Sequence, residues 1–205
     1  MLNLQKLKYI LCEVCSSLIS REHELCKFDS IVGDGDHGVT VKRGFSAVKD
    51  GIETAAPDSI YALLSESGYI LMDQLGGAIG PVLASLFLGM AASTKGKESI
   101  GTADLARMFS DALTKVMDIG GAKPGDRTLV DALAPAVATL AQCTEMPEKE
   151  AMMAAAKSAY EGAQSTKDMV AQKGRAHFLG EKSKGYVDAG AMTMYYFIES
   201  FAEAI

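Results

Sequence analysis

Apolar residues recur at three- and four-residue intervals over nearly all of this chain, and that period admits helices and little else. Leu4, Leu7, Leu11, Val14 and Leu18 form one such stripe within 3–22. Val41, Phe45, Val48 and Ile52 form another within 39–53, and Ile60, Leu63, Leu64, Ser67 and Leu71 a third within 58–74. Segment 81–94 begins with Pro81 and is apolar or small on every side, which predicts a nearly fully buried helix with close-packed neighbours. Segment 103–118, after Thr102 as cap, buries Leu105, Met108, Phe109, Ala112, Leu113 and Val116. Segment 127–142 follows Asp126 as cap. Its internal Pro135 kinks the helix or sits where the carbonyl four residues back has no helical partner. Segments 147–170 and 190–204 complete the set. Alternating apolar runs are nearly absent, and only Phe28 to Val32 reads as a short strand. The expectation is an all-α fold of eight helices in one domain, 1–205.

Composition removes several functions. With 205 residues and 48% apolar content the chain has enough for a sizeable core and too much for disorder. Its net charge of −6 argues against a nucleic-acid-binding surface. The longest apolar run, Val82 to Ala92, is shorter than the roughly 20 residues a membrane span needs. The N-terminus lacks a continuous apolar signal region. Together these predict a soluble cytoplasmic protein. Cys12 and Cys15 form a C-x-x-C with His23 and Cys26 downstream, a set that could ligate zinc. Both cysteines fall inside a regular amphipathic helix without a glycine turn, so small core residues are the better reading.

Four stretches interrupt the helical pattern with glycine and polar residues: 29–40, 75–81, 119–128 and 174–190. The first places Gly33, Gly35 and Gly38 as G-x-G-x-x-G, but Asp34 and Asp36 would repel a pyrophosphate and no βαβ pattern follows. It also fails the EF-hand spacing, since position 5 is Gly38 and position 12 is Phe45. What remains is Asp29, Asp34 and Asp36 interleaved with glycine. Two carboxylates 4 Å apart repel by about 4 kcal/mol at an effective dielectric of 20, so their convergence makes sense around divalent cations of the Mg²⁺ type. A solvated acidic turn capping the next helix accounts for the same residues. His37 suits a phosphate or metal contact, or a plain turn hydrogen bond, and Gly38 to Thr40 open a helix whose free N–H groups favour anions. The third stretch, Gly120 to Thr128, misses the P-loop because Asp126 stands in the lysine position. In the fourth, Arg175 offers a planar donor fork suited to phosphate.

Taken in order, the four stretches resemble the DhaL family of dihydroxyacetone kinase subunits. The matching residues are Asp29 with Gly33-Asp34-Gly35-Asp36-His37-Gly38, Gly76-Gly77-Ala78-Ile79-Gly80-Pro81, and Pro124-Gly125-Asp126-Arg127-Thr128 with Asp131-Ala132. They continue with Lys173-Gly174-Arg175-Ala176, Leu179-Gly180-Glu181 and Asp188-Ala189-Gly190-Ala191. The resemblance spans residues 5–203. It implies a barrel of eight antiparallel helices with ADP or ATP at one end and two Mg²⁺ on Asp29, Asp34 and Asp36. It implies nucleotide contacts from His37, Gly38, Val39, Thr40, Ala78, Ile79, Gly120, Leu129, Arg175, Asp188, Ala189 and Gly190.

The implied reaction is phosphoryl transfer to dihydroxyacetone carried covalently on a DhaK-type partner, which would also hold any general base. The nucleotide is then rephosphorylated in place by the phosphoprotein DhaM of a phosphotransferase system. The resemblance leaves room for an ATP-dependent kinase of a related ketose such as erythrulose, for a nucleotide-state sensor that binds a transcription regulator, and for a homodimer. The chain departs from the family's pattern at Ile79 and His177, where serine is usual, and at Ala189, where proline is usual.

Overall fold

In the computed structural model, which describes residues 1–205, the chain forms nine α-helices. They are α1 (Leu4–Ser20), α2 (Glu22–Asp29), α3 (His37–Thr54), α4 (Ile60–Gln74) and α5 (Ile79–Ala92), then α6 (Thr102–Gly120), α7 (Val130–Gln142), α8 (Glu148–Ser165) and α9 (Ala189–Ala204). Two 3₁₀ segments, Thr166–Asp168 and Arg175–Ser183, lie between α8 and α9. Eight of the helices are long; α2 is the short extra one. The expected stripes are the buried faces: Val41, Phe45, Val48 and Ile52 on α3, and all five named residues on α4. Leu4 and Leu113 are only half-buried.

Besides the extra helix α2, sequence reading and structure differ in four places, each with a local cause. Phe28 to Val32 is no strand. Phe28 and Asp29 end α2, and the next residues turn, with the N–H groups of Val32 and Gly33 both donating to the Asp29 carbonyl. The strands are β1 (Leu2–Asn3) and β2 (Ser99–Ile100), an antiparallel pair too short for any pattern to announce. Thr102 is the first residue of α6 rather than its cap, and its hydroxyl donates to the Met146 carbonyl. Helix α7 starts at Val130, so Asp126 is not its cap: its carboxylate accepts the Lys123 N–H within the preceding turn, while Asp131 accepts from Gly125 and Thr128 nearer the helix. Pro135 meets its expectation at the Asp131 carbonyl, which it leaves without a helical donor. Gly162 of α8 packs there so closely that a Cβ would lie 2.2 Å from that oxygen.

Each long helix packs against the next in chain order, and α9 closes on α1. The result is a ring of eight. Phe45, Phe87 and Phe197, from α3, α5 and α9, meet inside it with centroids 5.7 to 6.4 Å apart, and Phe109 meets Phe201 edge-on at 5.9 Å. The barrel is therefore a packed core rather than a channel. Helix α5 is as buried as its composition requires. A Cβ on Gly89 would lie 2.5 Å from the Ala112 Cα, so α5 and α6 touch backbone to backbone. Cys15 is buried in this core, and burial raises its thiol pKa; Cys12 and Cys26 are half-buried. No helix is long and apolar enough to cross a membrane.

This topology positions the functional loops. Sequential neighbours joined by short connections alternate in direction. Every second connection therefore returns to the same end: 30–36, 75–78, 121–129 and 166–188. These are the four glycine-rich stretches.

Candidate functional site

One cavity of about 680 Å³ opens at that end, and all four stretches line it. Its wall includes Asp29, Asp34, Asp36, His37 and Thr40 from around the start of α3, and Gly76 to Ile79 before α5. Gly120 ends α6, Thr128 to Val130 lead into α7, Lys173 to Ala176 lie on the long loop before α9, and Asp188 to Gly190 open α9. Of the residues anticipated from the sequence, the cavity brings together all but two. Gly38 and Val39 are not on its wall; Gly38 is buried against α2 and Val39 is exposed.

The acidic trio converges. One carboxylate oxygen from each of Asp29, Asp34 and Asp36 lies within 4.8 Å of the others. Local backbone explains how. Asp29 ends α2, and its Oδ2 accepts the Gly35 N–H at 2.8 Å. A side chain at Gly33 would collide with the Asp29 carboxylate, its Cβ 2.0 Å from Oδ1, so glycine at this position leaves room for that carboxylate to point into the turn. Gly35 takes φ +75°. Asp36 precedes α3, but its side chain makes no capping hydrogen bond. The plain capping role is therefore not what holds it. The opening of α3 is fixed instead by Gly38, where a Cβ would lie 1.9 Å from the Glu22 carbonyl oxygen. All three groups offer hard oxygen donors, the set that suits Mg²⁺ rather than softer metals.

Other side chains surround the trio. Arg175 forms an ion pair with Asp34. The His37 ring is held at 2.8 Å from the Thr193 hydroxyl, which donates to the Ala189 carbonyl and so accepts from Nε2–H. Burial lowers the His37 pKa, against the pull of the Asp29 carboxylate, and leaves the ring neutral near pH 7. Asp188 caps α9 by accepting the Ala191 N–H at 2.9 Å. Burial pushes its pKa up to about 6, opposed by that hydrogen bond and by Arg127. Asp131 accepts from the N–H groups of Gly125 and Thr128 and so shapes the turn before α7. Ile79 and Ala189 supply no side-chain polar atom, so only their backbone groups can serve a ligand.

Sequence reasoning attached no role to Arg127. It is the largest fully buried side chain, and the one non-glycine residue with positive φ, at +60°. A near-miss to the P-loop drew attention to its neighbour Asp126, yet nothing in the spelling P-G-D-R-T reveals burial.

Fold and site together define a closed helical barrel that gathers glycine turns, a carboxylate trio and several cations around one cavity, an arrangement suited to a metal-bound polyphosphate. Residues 31–203 match the DAK2 domain, and the chain belongs to that family. The ADP-binding subunit DhaL of the PEP-dependent dihydroxyacetone kinase of Escherichia coli (strain K12) is 37% identical over 193 residues, covering 93% of this chain and 92% of that one. The DhaL subunit of PEP-dependent dihydroxyacetone kinase 2 of Listeria innocua is 36% identical, covering 92% and 91%. Among solved structures, the dihydroxyacetone kinase of C. freundii in complex with AMP-PNP and Mg²⁺ superposes with a TM-score of 0.75 at 25% identity. That match covers 97% of this chain and 33% of the longer one.

Proposed function

We propose that residues 1–205 act as one DhaL-type domain, the nucleotide-holding subunit of a cytoplasmic dihydroxyacetone kinase. The observation that carries this reading is the convergence of Asp29, Asp34 and Asp36 at the cavity where all four glycine stretches meet. Those three carboxylates would hold two Mg²⁺. When bound, the metal and nucleotide supply the transferable phosphoryl group and neutralise its charge. The protein's own share is positioning. Arg175 exchanges its Asp34 partner for phosphate, using a planar fork suited to it. His37 and Thr40, Ala78 and Ile79, Gly120 and Leu129, and Asp188 to Gly190 line the nucleotide's bed. Gly38 and Val39 contribute through the backbone that opens α3. No side chain here is assigned as general base; the ketose and its base sit on a DhaK-type partner. Rephosphorylation in place by a DhaM-type phosphoprotein completes the cycle.

Native mass spectrometry of the freshly purified chain, with identification of nucleotide released by acid, tests this. Retained ADP with two Mg²⁺ is the expected result. An empty chain that exchanges ATP rapidly would replace the phosphoprotein donor with free ATP. A chain without affinity for nucleotide or Mg²⁺ would overturn the kinase reading. Steady-state transfer to dihydroxyacetone against erythrulose, with partner subunits present, fixes the ketose.

A further inference from the structure

We propose that Arg127 is a positioning residue for the nucleotide: its buried guanidinium bolts the turn before α7 to the turn before α9, holding Leu129 and Gly190 together as one wall of the cavity. The inference rests on reading that cavity as the nucleotide site.

Two features oppose keeping an arginine here, and both argue that its side chain is needed. The backbone sits at φ +60°, a region that glycine adopts without strain and other residues rarely occupy. The side chain is 1% exposed, yet Nε and Nη1 have no hydrogen-bond acceptor. Buried, unpaired donors on a cation are unfavourable. A glycine would relieve both.

What the guanidinium spans supplies the reason. Nη2 donates to the Tyr186 carbonyl at 2.9 Å, and Nη1 lies 3.8 Å from Asp188 Oδ1. Both partners belong to the turn that opens α9, where Asp188 caps the helix by accepting the Ala191 N–H. Directly across, a Cβ on Gly190 would lie 3.7 Å from the Leu129 backbone nitrogen and 3.0 Å from Asp188 Oδ2. The two turns are therefore in contact at the cavity wall. A second link, the Gln172 N–H donating to the Asp126 carbonyl at 3.0 Å, ties the adjacent strap to the same turn. Arg127 forms no hydrogen bond or ion pair with Asp29, Asp34 or Asp36, so its effect falls on the nucleotide side of the site and not on the metal side.

The test uses the full chain with Arg127→Gly, which relaxes the backbone while removing the guanidinium. ADP affinity with Mg²⁺ is read by calorimetry, and Mn²⁺ affinity without nucleotide by electron paramagnetic resonance. The expected outcome is at least a tenfold loss of ADP affinity with Mn²⁺ affinity held within twofold. Methylguanidinium at a few millimolar then restores part of the ADP affinity, and equal urea or sodium chloride does not. Unchanged ADP affinity, a parallel loss of Mn²⁺ affinity, or no selective rescue would overturn the proposal. Should that variant fail to fold, Arg127→Lys keeps charge and stem without the planar fork; ADP affinity equal to the unaltered chain's would then overturn it, and a loss would support it. Failure of the underlying reading is separate, because the unaltered chain would itself not bind ADP.

Discussion

The two ends of the barrel obey different rules. At the end holding β1 and β2, three of the four helix starts are finished by side chains, and α8, which follows Pro147, is the exception. Asn3 accepts from the Lys6 N–H for α1, Ser59 from the Ala62 N–H for α4, and Asp104 from the Gly101 N–H for α6. At the cavity end, α3, α5 and α7 begin with no side-chain cap from the preceding residue, and only α9 has one, from Asp188. Seven of the eight glycines with positive φ lie in the loops of that end, and so does Arg127; only Gly96 lies elsewhere. Like charges are brought together there rather than apart. One set of eight helices thus carries a conventional end and an end where local preferences are overruled. Such concentration is what a functional site imposes on its fold.

The largest expected effect falls on the acidic trio. Asp34→Asn should cut phosphoryl transfer about a thousandfold, equivalent to about 4 kcal/mol of lost charge stabilisation. Its metal-free unfolding temperature should hold or rise. One of three converging carboxylates is removed, and the lost pair with Arg175 is largely exposed, a kind of contact that contributes little. Activity assays with partner subunits and calorimetry on the same preparation check both halves. A variant that lost stability along with activity would erase the contrast between the ends.

A mid-barrel change sharpens the contrast from the other side. Gly89→Ala forces a Cβ to within 2.5 Å of the Ala112 Cα and 2.8 Å of the Asp111 carbonyl oxygen. Overpacking of this kind costs about 1–3 kcal/mol. Denaturant unfolding should show that loss, while ADP affinity of the folded fraction stays unchanged.

These contrasts were unequally legible in the sequence. Helix type was plain because buried faces such as Ile60, Leu63, Leu64, Ser67 and Leu71 keep the helical period over several turns. The break at Arg21 was not, since neither glycine nor proline marks it and α2 buries only Leu25. The missing stripe left Phe28 to Val32 looking like a strand. On the site, the glycines and aspartates announced themselves because turns and metal ligands restrict residue type. Their gathering into one cavity needed the alternating topology. Arg127 stayed hidden because its burial and its partners Tyr186 and Asp188 come from a loop far along the chain.

Asp188 gives the cavity end a pH signature of its own. Its folded pKa of about 6 lies above the ordinary carboxylate value of 3.8. The folded state therefore holds a proton that the unfolded state has released between about pH 4 and 6. From this group alone, stability is greatest below about pH 4, falls as pH rises through that window, and levels off above it. Asp188→Asn should flatten that part of the profile. Thermal unfolding of both chains from pH 4 to 7 measures the difference; curves of identical shape would deny Asp188 its charge-disfavouring setting.

The smallest expected effect tests the conventional end. Ser59→Ala removes the hydroxyl that accepts the Ala62 N–H at 3.1 Å, and a lost cap of this kind costs about 1 kcal/mol. Ser59 opens α4 at the end opposite the cavity and touches none of the four glycine stretches. Its loss should therefore lower the denaturant midpoint and leave ADP retention and transfer unchanged. A fall in ADP affinity would mean that fraying at the start of α4 reaches Leu75 and Gly76 at its other end. The two ends would then be mechanically coupled through α4 rather than independent.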